Sequence, residues 1–522
     1  YTDPFAFSQS KTQWIDLHWF FQLLVYGIHS LGGVSLLVWT KLAIVFASVI
    51  TLTAARGDRW FKLFCAASLA VMLFHARFLV LMRPILITIL AMSCFIVVLE
   101  RFAARRKKRI LLWLVAVQLV WTNSQGLFIL GPVILGCYWL GELMKTIFGR
   151  EDGLQSREAF RYHFQLTAAF LIVCVSVLVN PYGFTGAVFP FSLFTRIDPS
   201  HANIYSRHIS ENTPLFALAG AESRYAYAVF AVTAVVIVSF FVNRKRAQWS
   251  HILLIMAFFS LAFMAKRNIL LYFVAAAPVI AANLSDGLRC FEGKAAISRR
   301  IISYGYACIL ALMIVGNGVT HARVVRHYPD GSMMSPFRVP EKAVRYLKDN
   351  PAPGAVFNTV RYGGYMIWEL YPAWEVYIDG RLIIRTPEFF EHYLAVCSKP
   401  ASTFPALVQS HAITHVLLPT AVFDHCMPLV EYLFKHKDWA VVYADGSSIL
   451  FKDRELADRN HIIDLTSDKQ VDEIISSIDQ HWSSDELIKQ QNFEYLQRLL
   501  RRLGVPAEGV DVKKIPDNEA KP

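Results

Sequence analysis

About 319 strongly apolar, repeatedly interrupted residues run directly into roughly 200 polar ones, and this junction limits the fold more than any other feature. It predicts an α-helical polytopic membrane domain with a soluble domain hung on its last span. A charged side chain at the bilayer centre costs roughly 2.5–3.5 kcal/mol on insertion scales. The few charged residues inside the apolar half must therefore sit at interfaces, face a cavity or do chemistry.

Mean hydropathy is +0.38 and 55% of residues are hydrophobic, high for a soluble protein of 522 residues. About ten spans are predicted, over 33–54, 60–77, 84–100, 110–121, 126–144, 163–180, 225–242, 250–265, 268–284 and 301–319. Several fall short of the roughly 20 residues a straight span needs. The chain opens on Tyr1 rather than Met, and a further span is expected upstream.

The net charge of +12 is concentrated at short turns between apolar runs. One cluster is Arg56 and Arg59; another runs over Arg101, Arg105, Arg106, Lys107, Lys108 and Arg109. The others are Lys145, Arg150, Arg157 and Arg161; Arg244 to Arg246; and Arg289, Lys294, Arg299 and Arg300. With the spans above, all five fall on one side, which by the bias of Lys and Arg toward cytoplasmic loops is the cytoplasm. The pattern points to a lipid bilayer, not nucleic acid, as the partner of these cations. Residues 1–32, the 181–224 loop and the C-terminal domain are then expected on the exported side, which in a bacterial inner membrane is the periplasm.

That domain is expected to be a small α/β unit over 320–455, followed by a helical tail and disordered end over 456–522. Glu341–Asn350 reads as an amphipathic helix with Ala343, Val344 and Leu347 on one face. Strands are predicted at 355–357, 376–378, 414–418 and 439–443, and a hairpin is predicted from 440–443 to 448–451 through Asp445-Gly446. Helices are predicted near 387–396 and 424–435. Glycines in Arg361-Tyr362-Gly363-Gly364-Tyr365 and Ile378-Asp379-Gly380-Arg381 predict tight turns. Asp379 and Arg381 either pair with each other or bind a sugar or partner loop. Cys397 and Cys426 are the two cysteines of this domain, where a disulfide is permitted.

Polar residues gather on the predicted exported side. Asp16 and His18 lie in an aromatic stretch from Trp14 to Gln22, either an interfacial helix anchored by tryptophan or a reactive loop on the membrane. Arg83 precedes Pro84 at the start of a span, and either snorkels or holds a phosphate. Trp121-Thr122-Asn123-Ser124-Gln125-Gly126 is a surface turn or the lining of a cavity, because irregular backbone at membrane depth is tolerated only in such places. Lys266-Arg267-Asn268 is a tight turn or a seat for a lipid phosphate. The 181–224 loop holds Arg196, Asp198, His201, Arg207, His208 and Glu211, whose spacing matches no trusted metal motif.

Asp3-Pro4-Phe5, Trp14 to Gln22, Arg83-Pro84, Asn123 with Gly126, Asn180-Pro181-Tyr182-Gly183, Arg267-Asn268, Asn358 with Tyr362-Gly363-Gly364-Tyr365, and Asp379-Gly380-Arg381 occur in an order that resembles bacterial membrane proteins related to the GT-C glycosyltransferases. Protein O-mannosyltransferases are among their relatives. The resemblance implies a polyprenyl-phosphate sugar as donor, chemistry on the exported face and an acidic base in the first exported loop. It also implies an acidic motif just upstream of Asp3, which this sequence does not include, and a His where Gln125 stands.

Sugar transfer from a lipid phosphate needs a carboxylate to take the acceptor proton and cations or a metal to hold the leaving phosphate. Asp16 and Asp3 are the candidate bases, with His18 orienting an acid or binding a divalent metal. Arg83 and Arg267 are the candidate phosphate holders. Asn123, Gln125, Asn268, Asp379 and Arg381 are further candidates for substrate binding. Two other readings stay open: a non-catalytic subunit of the same fold scaffolding a larger membrane complex, which Gln125 favours, and a transporter or flippase, against which the absence of an internal repeat counts.

Overall fold

The computed structural model describes residues 2–9, 14–148, 156–197, 204–289, 299–327, 339–420, 424–445, 447–464, 467, 469, 472–476 and 486–504. The chain divides into two compact units, one of residues 15–324 and one of residues 1–14 with 325–522. Residues 2–9 and 14, read from sequence as part of the membrane domain, thus belong to the unit of the C-terminal domain.

The 15–324 unit is helical. Its helices are α1 (Trp19–Thr53), α2 (Arg59–His75), α3 (Ile85–Arg105), α4 (Leu112–Thr122), α5 (Leu130–Ile147), α6 (Ser156–Ser176), α7 (Gly183–Ile197), α8 (Ile204–His208), α9 (Ser223–Val242), α10 (Trp249–Met264) and α11 (Ile269–Arg289). The chain leaves the unit along α12 (Arg299–His327). Helices are the expected answer to this composition, since only intra-segment hydrogen bonding satisfies a lipid-facing backbone one segment at a time. Among the described residues, seven helices are long and apolar enough to cross a membrane. α10 is a shorter apolar one. At 1.5 Å per residue α3 spans about 31 Å, a full hydrocarbon core, whereas α4 spans only about 16 Å.

Two sequence expectations change. The first predicted span begins at residue 33, but α1 begins at Trp19 and breaks at Gly32-Gly33, where Gly33 has φ +61°. A left-handed φ of this kind is open to glycine at little steric cost. The 181–224 segment, read as a loop, contains α7 and α8.

Contacts between helices show which ends lie together. Trp121 at the end of α4 donates through Nε1 to Thr88 Oγ1 near the start of α3, at 3.1 Å. At the other end of α3, Glu100 accepts from Arg56 Nε at 2.9 Å and from Tyr138 Oη at 2.9 Å, and meets His251 Nε2 at 2.8 Å. Arg56 Nη1 also donates to Asp286 Oδ2 at 2.9 Å. Arg101 donates to the Ala54 carbonyl, and Tyr162 stacks on Phe102. The turns that carry the predicted basic clusters therefore gather at the Glu100 end, while Arg83, Asn123 and Lys266 lie at the other. Arg150 and Lys294 fall outside the described residues.

The other unit is a small α/β domain, so the fold class is as predicted. A four-stranded mixed sheet has the order β1-β2-β4-β3, with β1 (Ala355–Asn358) parallel to β2 (Ile413–Pro419). β4 (Ser448–Asp453) runs antiparallel to both β2 and β3 (Trp439–Ala444). The predicted strand at 376–378 is reduced to isolated bridges from Val376 to Ala6 and Val356. The helices are α13 (Glu341–Asp349), α14 (Val360–Leu370), α15 (Pro387–Ser398), α16 (Pro400–His411), α17 (Met427–Lys435) and α18 (Glu486–Leu503). Ala343, Val344 and Leu347 of α13 are buried, as the amphipathic pattern requires. Gly446 of the predicted hairpin turn and residues 505–522 of the predicted disordered end lie outside the described residues.

The glycine pair 363–364 forms no tight turn. It lies inside α14, where a Cβ on Gly363 would come within 2.1 Å of the Ile378 carbonyl. The glycine serves a close approach of helix to backbone, which local sequence does not distinguish from a turn.

Candidate functional site

Within the helical unit the site begins just before α1. Asp16 Oδ1 accepts from the His18 backbone N–H at 2.9 Å and from Gln22 Nε2 at 3.3 Å. Its own N–H donates to the Tyr182 hydroxyl at 3.0 Å. The Asp16 side chain is 11% exposed, and no hydrogen bond reaches its Oδ2 among the described residues. One carboxylate oxygen thus holds the chain in place and the other is left to act.

His18 Nε2 lies 2.9 Å from Gln125 Oε1. If that carbonyl accepts, Nε2 carries the proton and Nδ1 is the basic nitrogen. Nδ1 sits 4.0 Å from Asp16 Oδ1. Burial lowers the His18 pKa from its usual range, against the Gln125 hydrogen bond and the Asp16 charge, which raise it. The imidazole is therefore neutral at neutral pH.

Asn123 fastens this region together. Its Nδ2 donates to the carbonyls of Leu119 and Val179, each at 2.9 Å. Its Oδ1 accepts from Trp19 Nε1 at 3.2 Å, and its backbone carbonyl accepts from Phe20 N at 3.2 Å. One side chain therefore joins the ends of α4 and α6 to the start of α1. Asn180 does similar work beside it, accepting from Tyr182 N at 2.8 Å and donating to the carbonyls of Val177 and Gly183, each at 3.0 Å. This turn holds the Tyr182 hydroxyl under Asp16.

A second group stands at the same end. Arg83 pairs with Glu211, and Lys266 pairs with Glu222 at 2.5 Å and with Ser210 Oγ. Lys266 N donates to the Thr213 carbonyl at 2.9 Å, tying the 266–268 turn to the 210–213 segment. Asn268 donates to the Leu261 carbonyl at 2.9 Å and is buried. Arg267 is half-buried in the field of Glu211 and Arg83 and makes no hydrogen bond or ion pair among the described residues. It is the uncommitted cation of the group.

The remaining candidates belong to the α/β unit. Asp3 is buried and accepts from Phe5 N at 3.1 Å, Arg385 Nη2 at 2.9 Å and Arg381 Nη2 at 3.2 Å. Asp379 takes the Arg381 Nε and Nη2 at 2.8 and 2.7 Å. Burial would raise the Asp379 pKa, but the hydrogen bonds and charge of Arg381, with Arg385 behind it, hold it below the usual carboxylate range. Arg381 also lies over the rings of Phe5 and Trp14, 5.0 and 4.8 Å from their centroids. These two acids and two arginines form a closed charge cluster.

Among the described residues no three His, Cys, Asp or Glu side chains gather as a metal site would require. The Asp16 and His18 pair supplies two ligand-type side chains, which does not make a divalent-ion site by itself. Asp198 and His201 lie outside the described residues, as does the side chain of Arg196. His208 is tied to its own helix through the Ile204 carbonyl.

Sequence reading missed Tyr182 as a partner of Asp16, Glu211 as the partner of Arg83, and the whole Glu100 cluster. Glu100 carried a usable signal: it is the only acid in the apolar run Ile85–Arg105, and such a residue needs a partner.

No protein-family model matches the chain, and no curated protein does either. Two solved archaeal oligosaccharyltransferase structures align with the chain at low identity. An Archaeoglobus fulgidus oligosaccharyltransferase in the apo form aligns with a TM-score of 0.47 and 11% identity, over 80% of this chain and 63% of that one. The oligosaccharyltransferase AglB from the same organism, in complex with an inhibitory peptide and a dolichol-phosphate, aligns with a TM-score of 0.45 and 11% identity, over 89% of this chain and 68% of that one. The chain thus spans less than two thirds of the length of the first of these.

Proposed function

We propose that the protein is a multi-pass membrane glycosyltransferase of GT-C type that moves a sugar from a polyprenyl-phosphate donor to an acceptor on the exported face of a bacterial inner membrane. The observation that carries the reading is the chemistry gathered at one end of the helical unit. Asp16 has an oxygen free to take a proton, and Arg267, at the same end, has no anionic partner of its own. The resemblance of the ordered motifs supplies the reaction class.

In this reading Asp16 Oδ2 removes the acceptor proton as its oxygen attacks the anomeric carbon. His18, neutral and held by Gln125, positions the acceptor beside the Asp16 carboxylate. Arg267 binds the phosphate as it leaves, where a fixed guanidinium opposes the charge that develops. Arg83 adds to that field while Glu211 holds it. Asn123 is assigned to holding helix ends, since its amide is fully used, and Asp3 to the α/β charge cluster. Asp379 and Arg381 then serve the same cluster.

A non-catalytic subunit of the same fold is the alternative. Gln125, which cannot act as a general base, is the observation that favours it. The two separate on donor binding to the purified chain. The enzyme reading expects a short-chain polyprenyl phosphate to bind in detergent and Arg267→Ala to weaken it about tenfold or more, as loss of a charge-assisted hydrogen bond does. Equal binding by both proteins, or none by either, would favour the subunit reading.

A further inference from the structure

The α/β unit holds two cysteines that no part of the proposed chemistry uses. Cys397 sits in the last turn of α15, and Cys426 closes the short turn at 424–426 that leads into α17. Their sulfurs are 3.7 Å apart, and both residues have no exposed surface. They are 29 positions apart in sequence. Nothing in local sequence brings them together; the packing of α15 against α17 does. The buried Tyr393 side chain hydrogen-bonds with Cys397 beside them.

Two thiols in van der Waals contact need only a small side-chain movement to bond. We propose that Cys397 and Cys426 form an intrachain disulfide that staples α15 to the start of α17. The inference rests on the reading above that this unit is exported, because exported compartments keep disulfides oxidised. The co-reactant is a disulfide-bearing oxidant. One cysteine thiolate attacks a sulfur of that disulfide, giving a mixed disulfide and releasing one thiolate. The second cysteine thiolate then attacks the mixed disulfide at the protein sulfur, the Cys397–Cys426 bond forms, and a second thiolate leaves. Two protein thiols are oxidised, one oxidant disulfide is reduced to two thiols, and the two protons end on those leaving groups. Because both sulfurs are buried, the exchange belongs to folding or to local opening of this region. A bridge closing a loop of this length reduces the freedom of the unfolded chain, and should lower the local opening constant roughly 10²–10³-fold relative to the reduced protein.

The test uses the full chain, acid-quenched as cells are broken, alkylated under denaturing conditions without reductant, digested and examined by mass spectrometry. A linked pair of peptides carrying Cys397 and Cys426, lost on reduction, is the expected result. Location is measured separately with Glu388→Cys in a Cys397→Ser, Cys426→Ser background, labelled by a membrane-impermeant maleimide. Labelling from outside together with two alkylated thiols at 397 and 426 would overturn the disulfide and leave the exported reading standing. If Glu388→Cys is shielded from outside, the exported reading fails, and the pair is judged in the purified chain, denatured and returned to folding conditions with glutathione disulfide. A linked peptide pair then supports the juxtaposition, and separate glutathione adducts or free thiols overturn it. Protease resistance near residue 420 should fall on reduction in wild type and stay unchanged in Cys426→Ser.

Discussion

Asp3 and Arg385 stand 382 positions apart in the chain and form a fully buried ion pair at 2.9 Å. Arg381 and Asp379 complete the cluster, so the start of the chain is tied into a domain that otherwise begins after residue 324. Removing one member of such a pair leaves the other charge buried and costs about 3–5 kcal/mol. Asp3→Ala should therefore lower the stability of the α/β unit by that order, measured by denaturant unfolding followed through tryptophan emission. An unchanged midpoint would mean that the first residues do not hold this domain.

His415 gives the domain a pH dependence. It is buried on β2 with Lys452 opposite it on β4. Burial, and then the Lys452 charge, push its pKa down to about 4. An unfolded His titrates near 6.5. Between those values the unfolded chain binds a proton that the folded chain refuses, so stability falls as pH drops from about 6.5 to about 4 and levels off below. The loss approaches about 3 kcal/mol. His415→Gln should flatten that part of the curve, and an unaltered slope in the variant would assign the dependence to another group.

Gly363 is where α14 meets the backbone at Ile378 and Asp379. Gly363→Ala puts a methyl within 2.1 Å of a carbonyl oxygen, and overpacking of this kind typically costs 1–3 kcal/mol or more. Gly364, with open space around its Cβ position, should accept Ala with little change. Equal loss at both positions would mean that helix flexibility, not close approach, sets the requirement.

How much of this was legible beforehand depended on the range of the interactions. The helical character of the apolar half is written in its long apolar runs and the amphipathic face of α13 in local periodicity, and both were read. Seven described helices, rather than ten, are long and apolar enough to cross a membrane. The parity of the basic turns needed only span counting, and the contacts around Glu100 match it. The α14 glycines and the Val376 bridges were misread because a short Gly-rich or β-branched segment looks the same whether a distant element packs on it or not. The Asp3 cluster and the link of Tyr182 to Asp16 were not legible at all: each joins residues more than 160 positions apart, and only the fold brings them together.

Asn123 should behave as a structural residue. Asn123→Ala removes hydrogen bonds to three helix ends and leaves the Trp19 indole and the Val179 carbonyl without that partner. Each such part-buried or exposed bond contributes about 0.5–1.5 kcal/mol. The expected result is a lower melting temperature in detergent, with donor affinity unchanged when measured well below that temperature. Selective loss of donor binding at full stability would make Asn123 a substrate ligand.

The central claim is that Asp16 takes the acceptor proton. Its most direct measurement is initial-rate sugar transfer by membranes of a deletion strain complemented with wild type, Asp16→Asn or Asp3→Asn, at equal amounts of folded protein. Asp16→Asn should lower turnover by about 10²–10⁴, the usual worth of a general base, with donor affinity within a few-fold of wild type. Asp3→Asn should act only through stability. Wild-type turnover by folded Asp16→Asn would contradict the account.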